Sequence, residues 1–144
     1  MATTSGALRA SNDVKRIYHV ATVEGQPGAG YRPVADLGRC VTNALARMDD
    51  EAEAVHGART ILFPLLGTGV AGGEAATIAP ELVSAAAEYI RQHPHCRVRR
   101  VYLLAYRTSE LHHWVNAAGA CLLLQRIGGS AEALPGLGIA QEAC

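Results

Sequence analysis

Gly67, Gly69, Gly72 and Gly73 fall within seven positions. They follow an apolar run (Ile61, Leu62, Phe63, Leu65, Leu66) and precede an amphipathic pattern that begins at Ala75. Strand, glycine loop, helix is an order that cradles phosphate. A helix N-terminus offers unpaired N–H groups and the positive end of its dipole. Glycine lets the backbone approach an anion and adopt φ > 0. The string Gly67-Thr68-Gly69-Val70-Ala71-Gly72 also satisfies G-x-G-x-x-G, the dinucleotide fingerprint. That fingerprint needs an acidic residue about 20 positions on, at the end of the next strand. Here the next predicted strand ends farther away, at Ala105-Tyr106-Arg107, without an acid. The loop also follows the second predicted strand, whereas the fingerprint opens its domain. A Walker A loop is excluded, because no Lys-Ser or Lys-Thr follows the glycines.

Other chemistry is sparse, and no catalytic residue is assigned. No Ser-His-Asp order, paired carboxylates or metal-ligand spacing stands out near the loop. His93-Pro94-His95-Cys96 and His112-His113 contain metal-ligating types, but nothing brings the two groups together, and exposed loop histidines are the simpler reading. His19 lies within an apolar run and reads as a hydrogen-bonded structural histidine. Asp36 and Glu74 flank predicted helix starts, where carboxylates stabilise the dipole. Glu74 would disfavour an anion in the loop unless it points away. Cys40, Cys96, Cys121 and Cys144 are scattered, which suits neither a disulfide framework nor a zinc finger. No metal and no cofactor is called for.

Several elements must position the loop. The 144-residue chain is expected to be one domain, able to bury roughly 70% of its unfolded surface. Residues 1–13 are small, polar and aperiodic, and are expected to be disordered. Residues 17–23 read as a buried strand, and 24–30 as turn chemistry long enough for a mobile loop. Val34, Leu37, Val41, Leu45, Met48, Ala52 and Val55 form one helical stripe. A second strand is predicted over 60–66. A helix bearing Ala75, Ile78, Leu82, Ala86 and Ile90 follows, then a third strand over 98–106. Ser109 is a plausible N-cap for a helix carrying Leu111, Trp114, Val115 and Ala118. Residues 121–127 fit strand or helix, and 128–144 read as a flexible tail. Alternating strands and helices imply parallel strands joined by right-handed crossovers. Ligands in such sheets sit beyond the carboxyl ends of the strands, where the glycine loop, the 24–33 loop and the turn at Tyr106, Arg107 and Thr108 converge.

Formal net charge is zero, so no long-range field gathers a polyanion. The arginines at 97, 99 and 100, flanked by Arg91 and Arg107, read as a solvated face, which disfavours nucleic acid. No apolar run approaches about 18 residues and no signal-peptide pattern opens the chain. A soluble, cytoplasmic protein with no membrane partner is expected.

The 61–73 segment resembles the second phosphate-binding loop of macro domains, where an apolar strand ending in Phe-Pro leads to Ser-Thr-Gly-Ile and an aromatic. The 17–23 run, with Tyr18-His19-Val20, is similar to that family's Val-Ile-His-Ala-Val strand. The 98–106 run is similar to its late Lys-Val-Ile-Phe-Val strand, which ends near an aromatic that stacks on adenine. The resemblance spans residues 15 to 116, with only the central loop specific. It implies a three-layer α/β/α fold with a mainly parallel sheet over 14–127. Macro domains bind ADP-ribose, and some remove it from proteins or esters. Carried over, Gly67, Thr68, Gly69, Val70, Ala71 and Gly72 would wrap the diphosphate and proximal ribose. Tyr106 would lie against adenine, the alternative being a ring turned into the core.

The departures are specific. Residues 1–16 hold no counterpart of the family's opening strands, its Asn-Ala-Ala-Asn segment or its first glycine loop, so the fold is expected to be truncated on its N-terminal side. Ala71 stands where the family commonly has an aromatic. The missing half supplies the groups that position the reactive water. The resulting expectation is a module that binds ADP-ribose or a related NAD-derived nucleotide without hydrolysing it. An ADP-ribosyl hydrolase is the first alternative, and a degenerate interaction module the second. A half-fold leaves open strand edges, so a homodimer or a covering partner chain is expected as well.

Overall fold

The computed structural model describes residues 1–26, 28–69 and 72–124. Its elements run β1 (Ala2–Thr4), α1 (Leu8–Asn12), β2 (Arg16–Tyr18), β3 (Val23–Gln26), β4 (Gly30–Pro33), α2 (Gly38–Asp49), α3 (Glu51–Ala54), β5 (Thr60–Phe63), α4 (Ala75–Gln92), β6 (Arg100–Leu103) and α5 (Thr108–Ala120). The chain is mixed α/β. Among the described residues parallel pairing is confined to β5 and β6, aligned from Thr60 opposite Arg100 to Phe63 opposite Leu103. β1–β2 and β3–β4 are antiparallel pairs. The mainly parallel sheet expected from the sequence is thus reduced to one pair, because the other strands meet neighbours close in sequence.

Apolar periodicity explains the helical layer. In α4, Ile78, Leu82, Ala86 and Tyr89 recur at three- and four-residue steps and are all buried, with Ala79 and Val83 beside them. The central helix α4 packs against α2 on one flank and α5 on the other. Leu45, Val83, Val101 and Trp114 meet in one cluster at 0% exposure, and the Trp114 indole N–H donates to the Leu104 carbonyl at 3.1 Å. From the strands, Ile61, Phe63, Val101 and Leu103 join this core, while the alternate residues Thr60 and Arg100 are exposed. Helices therefore cover one face of the parallel pair, and the described residues place no helical layer on the other.

Several boundaries differ from the sequence expectation, among them β5 and β6, which end short of the strands expected over 60–66 and 98–106. The single stripe from Val34 to Val55 becomes two helices. Asp50 adopts ψ 138°, and the Arg97 guanidinium binds the carbonyls of Asp49 and Asp50, which a continuous helix would have used. Residues 1–13, expected without structure, carry β1 and α1. The Ser5 hydroxyl donates to the Val14 carbonyl, and Thr3 pairs with Ile17. The 17–23 strand shrinks to β2, and His19 is exposed, its Nε2 sharing a hydrogen bond with the Thr3 hydroxyl at 2.8 Å. In the 121–127 segment, residues 121–124 form a turn closed by Leu124 N–H to the Cys121 carbonyl. The remainder, and the expected 128–144 tail, lie outside the described residues. No helix of the described residues is long and apolar enough to cross a membrane.

A buried ion pair fastens the N-terminal unit. Arg16 donates to both oxygens of Glu53 at 2.9 and 3.1 Å, and the Glu53 side chain is 4% exposed. Tyr18 O–H donates at 3.4 Å and Arg47 lies at 3.5 Å. Hydrogen bonds from Arg16 hold the Glu53 carboxyl below its ordinary 4.5, against the opposing effect of burial. A depressed carboxyl pKa contributes stability that is complete above the ordinary range and is lost as pH falls through the depressed value. Glu53→Ala leaves the partly buried Arg16 guanidinium without its carboxylate, so it should cost about 2–3 kcal/mol in urea unfolding. Glu53→Gln should flatten the acid side of the stability–pH curve relative to wild type. Equal acid slopes would show that the pair does not hold this unit.

Candidate functional site

Parallel strands end at the same edge, so the chain leaving β5 and the chain leaving β6 emerge side by side. The ladder continues one residue further, with Leu104 N–H donating to the Phe63 carbonyl at 2.8 Å. From β5 the chain must rise from the sheet to the helical layer within 64–74. Leu65 stays buried, and the Thr68 hydroxyl donates to the Leu65 carbonyl at 2.9 Å. Gly72 N–H reaches the Gly69 carbonyl at 2.9 Å, and Gly73 N–H reaches the Gly67 carbonyl at 3.2 Å. The loop is thereby closed on itself at two levels.

The glycines are not equivalent. Gly67 has φ +83°, and a Cβ there would lie 2.7 Å from Leu37 Cδ1. A Cβ at Gly73 would meet Ile78 Cδ1 at 2.5 Å and the Gly67 carbonyl oxygen at 2.7 Å. These two positions are required for the backbone to pass between α2 and α4. Gly69 has nothing within 4 Å of the corresponding point, so it faces open space at the mouth of the loop. Val70 and Ala71, predicted to line the diphosphate site, lie outside the described residues.

The first turn of α4 adjoins this mouth. Thr77 and Ile78 both donate to the Glu74 carbonyl, while the N–H groups of Ala75 and Ala76 have no intrahelical acceptor. Glu74 is the N-cap residue, but its side chain makes no cap hydrogen bond and is exposed. The α2 N-terminus is different. Gly38 N–H donates to Glu81 Oε1 at 2.7 Å and Arg39 N–H to Asp36 Oδ1 at 3.0 Å. Two carboxylates already satisfy it, leaving α4 as the open anion-attracting terminus of the two.

Tyr106 stands on the neighbouring strand's exit, 77% exposed. Its ring is not in the core. Its backbone N–H is held by Glu110 Oε2 at 2.8 Å, and Glu110 lies in the first turn of α5. The sequence-predicted residues Gly67, Thr68, Gly69, Gly72 and Tyr106 are therefore gathered at one edge. The 24–30 segment, read as a mobile loop, instead belongs to the β3–β4 hairpin that takes up the 24–33 loop, with Gly28 and Gly30 at positive φ. Tyr31 lies across Gly25, its cross-strand partner, and remains 64% exposed.

Two features were not found from sequence. One is the contact of Leu37 with Gly67, which joins the start of α2 to the loop. The other is a shallow groove of about 380 Å³ between α2 and α4, lined in part by Asn43, Glu88, Tyr89 and His93, away from the glycine loop. In it the Tyr89 and His93 rings stack at 4.2 Å, and burial, followed by the nearby Asp49 carboxylate, pushes the Tyr89 hydroxyl up to about 12. Apolar spacing identified Tyr89 only as an element of the helix. Cys40 is a poor nucleophile: burial, then Asp36 and Glu81, raise its thiol pKa, and its Sγ faces the Ala21 carbonyl at 3.3 Å. Among the described residues no group of three or more metal-ligating side chains gathers.

No protein-family model matches the chain, and no curated protein matches it. Its function must be argued from the site.

The loop geometry separates two substitutions. Gly73→Ala should destabilise the protein by about 1–3 kcal/mol, since the Cβ meets backbone as well as Ile78. Gly69→Ala, in open space, should stay within about 0.5 kcal/mol of wild type. Thermal unfolding of both variants checks this, and equal losses would overturn the assigned loop path.

Proposed function

We propose that this chain is a macro-domain-like, cytoplasmic module that binds ADP-ribose or a related NAD-derived nucleotide, without hydrolysing it. In this reading the three-layer architecture of that family is present only in its later half. The diphosphate sits at the mouth of the 67–72 loop, beside the N–H groups of Ala75 and Ala76, which have no acceptor among the described residues, and adenine stacks on Tyr106. The observation that carries the proposal is the loop itself. Two obligatory glycines route the backbone from β5 to the α4 N-terminus and leave Gly69 facing open space.

The energetics are adequate for a modest binder. A helix N-terminus gives an anion about 0.3–1 kcal/mol, more where the site is partly buried. An aromatic stack adds about 1 kcal/mol beyond the area covered. Glu74 is exposed and uncapped, so its carboxylate can turn to solvent and leave the mouth to a phosphate.

Calorimetric titration with ADP-ribose, AMP and NAD tests the reading. Selective ADP-ribose binding is expected, with a melting-temperature rise equivalent to about 2.7 kcal/mol at 100 times Kd. Gly69→Glu should abolish binding by filling the mouth with a side chain and a negative charge, while the fold is kept. Tyr106→Ala should weaken affinity about fivefold, the equivalent of roughly 1 kcal/mol. No binding, or unchanged affinity in Gly69→Glu, overturns the proposal. Turnover of an ADP-ribosylated protein above the Gly69→Glu background would replace it with the hydrolase reading.

A further inference from the structure

Residues 1–21 form a unit closed largely on itself. The Ser5 hydroxyl donates to the Val14 carbonyl. Val14 N–H reaches the Leu8 carbonyl at 3.2 Å, and His19 N–H reaches the Met1 carbonyl at 2.8 Å. Among the described residues β1 and β2 pair only with each other, and α1 has no buried residue. A two-stranded sheet with so little apolar cover is marginal in water. This unit therefore owes its order to what it docks on.

Its docking is narrow. Tyr18 and Val20 lie partly buried against the core. The polar ties gather on Glu53, which accepts from Arg16 twice and from the Tyr18 hydroxyl. Farther along, the Cys40 thiol donates to the Ala21 carbonyl at 3.3 Å. The remainder is held differently, because α2, α4, α5 and the parallel pair share one buried cluster. Glu53 also keeps neighbours when the unit leaves. Arg47 lies 3.5 Å away and His56 4.0 Å, and both belong to the body. Opening thus hydrates Arg16 without leaving an uncompensated buried carboxylate, the outcome that makes a broken buried pair costly.

We propose that residues 1–21 are a strap that opens and closes as one unit, with Glu53 as its latch, while the helical core stays folded. Cooperative opening below the global level is ordinary for a supersecondary motif with few core contacts. The open strap bares the flank of α2 and α3 around Arg47 and Glu53. It also removes the carbonyl that faces the Cys40 thiol. Cys40 is 8% exposed with the strap closed, so its reactivity reports the open form. The inference is independent of the nucleotide reading.

Native-state hydrogen exchange, read residue by residue by NMR, tests the strap. The His19 and Val14 amides belong to different parts of it and should exchange through one common opening constant. That constant should exceed the constant for the Leu82 and Val83 amides of α4 by about tenfold or more. Glu53→Gln should raise the strap constant a further tenfold or so, and the alkylation rate of Cys40, followed by mass spectrometry, should rise with it. Ile78→Val, which removes one core methyl carbon, should speed the α4 amides about fivefold and leave His19 and Val14 unchanged, since the core stays folded when the strap opens. Where Glu53→Gln fails to fold, Arg16→Met tests the latch from the other side, and the wild-type constants decide without any variant. One constant shared by strap and α4, unequal constants for His19 and Val14, or strap exchange and Cys40 alkylation indifferent to the latch variants would overturn the proposal.

Discussion

Two parallel strands cannot be joined by a tight turn, and the rest of this molecule follows from that restriction. The chain leaving β5 must return to the start edge before β6 can begin, and a helix is the compact way to do it. That helix is α4, with 18 residues, about 27 Å at 1.5 Å per residue. The four-residue strands beneath it span only about 13 Å. The helix is therefore longer than the sheet it covers. Its surplus length gives α2 and α5 something to lie against, so the small sheet becomes one wall of a helix-dominated core.

The same crossover fixes where chemistry is possible. A backbone that climbs from sheet to helix over about ten residues must pass Leu37 and Ile78, where Gly67 holds φ +83° and a Cβ at Gly73 would strike the Gly67 carbonyl oxygen at 2.7 Å. Steric demand at Gly67 and Gly73 and openness at Gly69 are thus two consequences of one path. The first two positions answer to packing, and the third is free of it. A glycine count treats them alike, although they differ in what each tolerates.

Local signals were legible in the sequence. The helical stripe through Ile78, Leu82 and Ala86, the glycine spacing after Phe63 and the order of β5, α4, β6 and α5 depend on residues near one another in the chain. Strand lengths were less legible. Leu65 and Val98 extend the apolar runs but serve the core from outside the ladder, since both are buried beyond the strand ends. Pairings of low β-propensity were not legible at all. Glu24, Gly25 and Gln26 are poor strand formers. They become strand because Glu24 meets Arg32 at 2.9 Å and Tyr31 covers Gly25. At the N-terminus, β1 exists only through Ile17 and its neighbours, and Arg16 is anchored by Glu53, 37 positions away. No periodicity within residues 1–13 can announce a partner outside them. Of the candidate site, the glycine loop after β5 and the position of Tyr106 beyond β6 follow from the sequence pattern. The satisfied α2 N-terminus was not, because its cap, Glu81, comes from another helix.

On the proposed reading, the exposed Tyr106 ring is organised for stacking by the backbone that carries it. An exposed tyrosine on a loose loop would lose backbone as well as side-chain freedom on stacking, and ordering one residue's backbone costs about 1–2 kcal/mol. That cost would consume the whole gain expected from an aromatic stack. Here the cost is met in folding. Leu104 is tied to Phe63 through its N–H and to Trp114 through its carbonyl, and Tyr106 N–H is bound by Glu110. The backbone on both sides of the ring is thus fixed by the strand ladder, the core tryptophan and the first turn of α5. Only the ring's own rotations remain to be restricted. The carboxylate of Glu110 is committed to that backbone, which keeps its charge engaged at the rim and away from the mouth of the glycine loop.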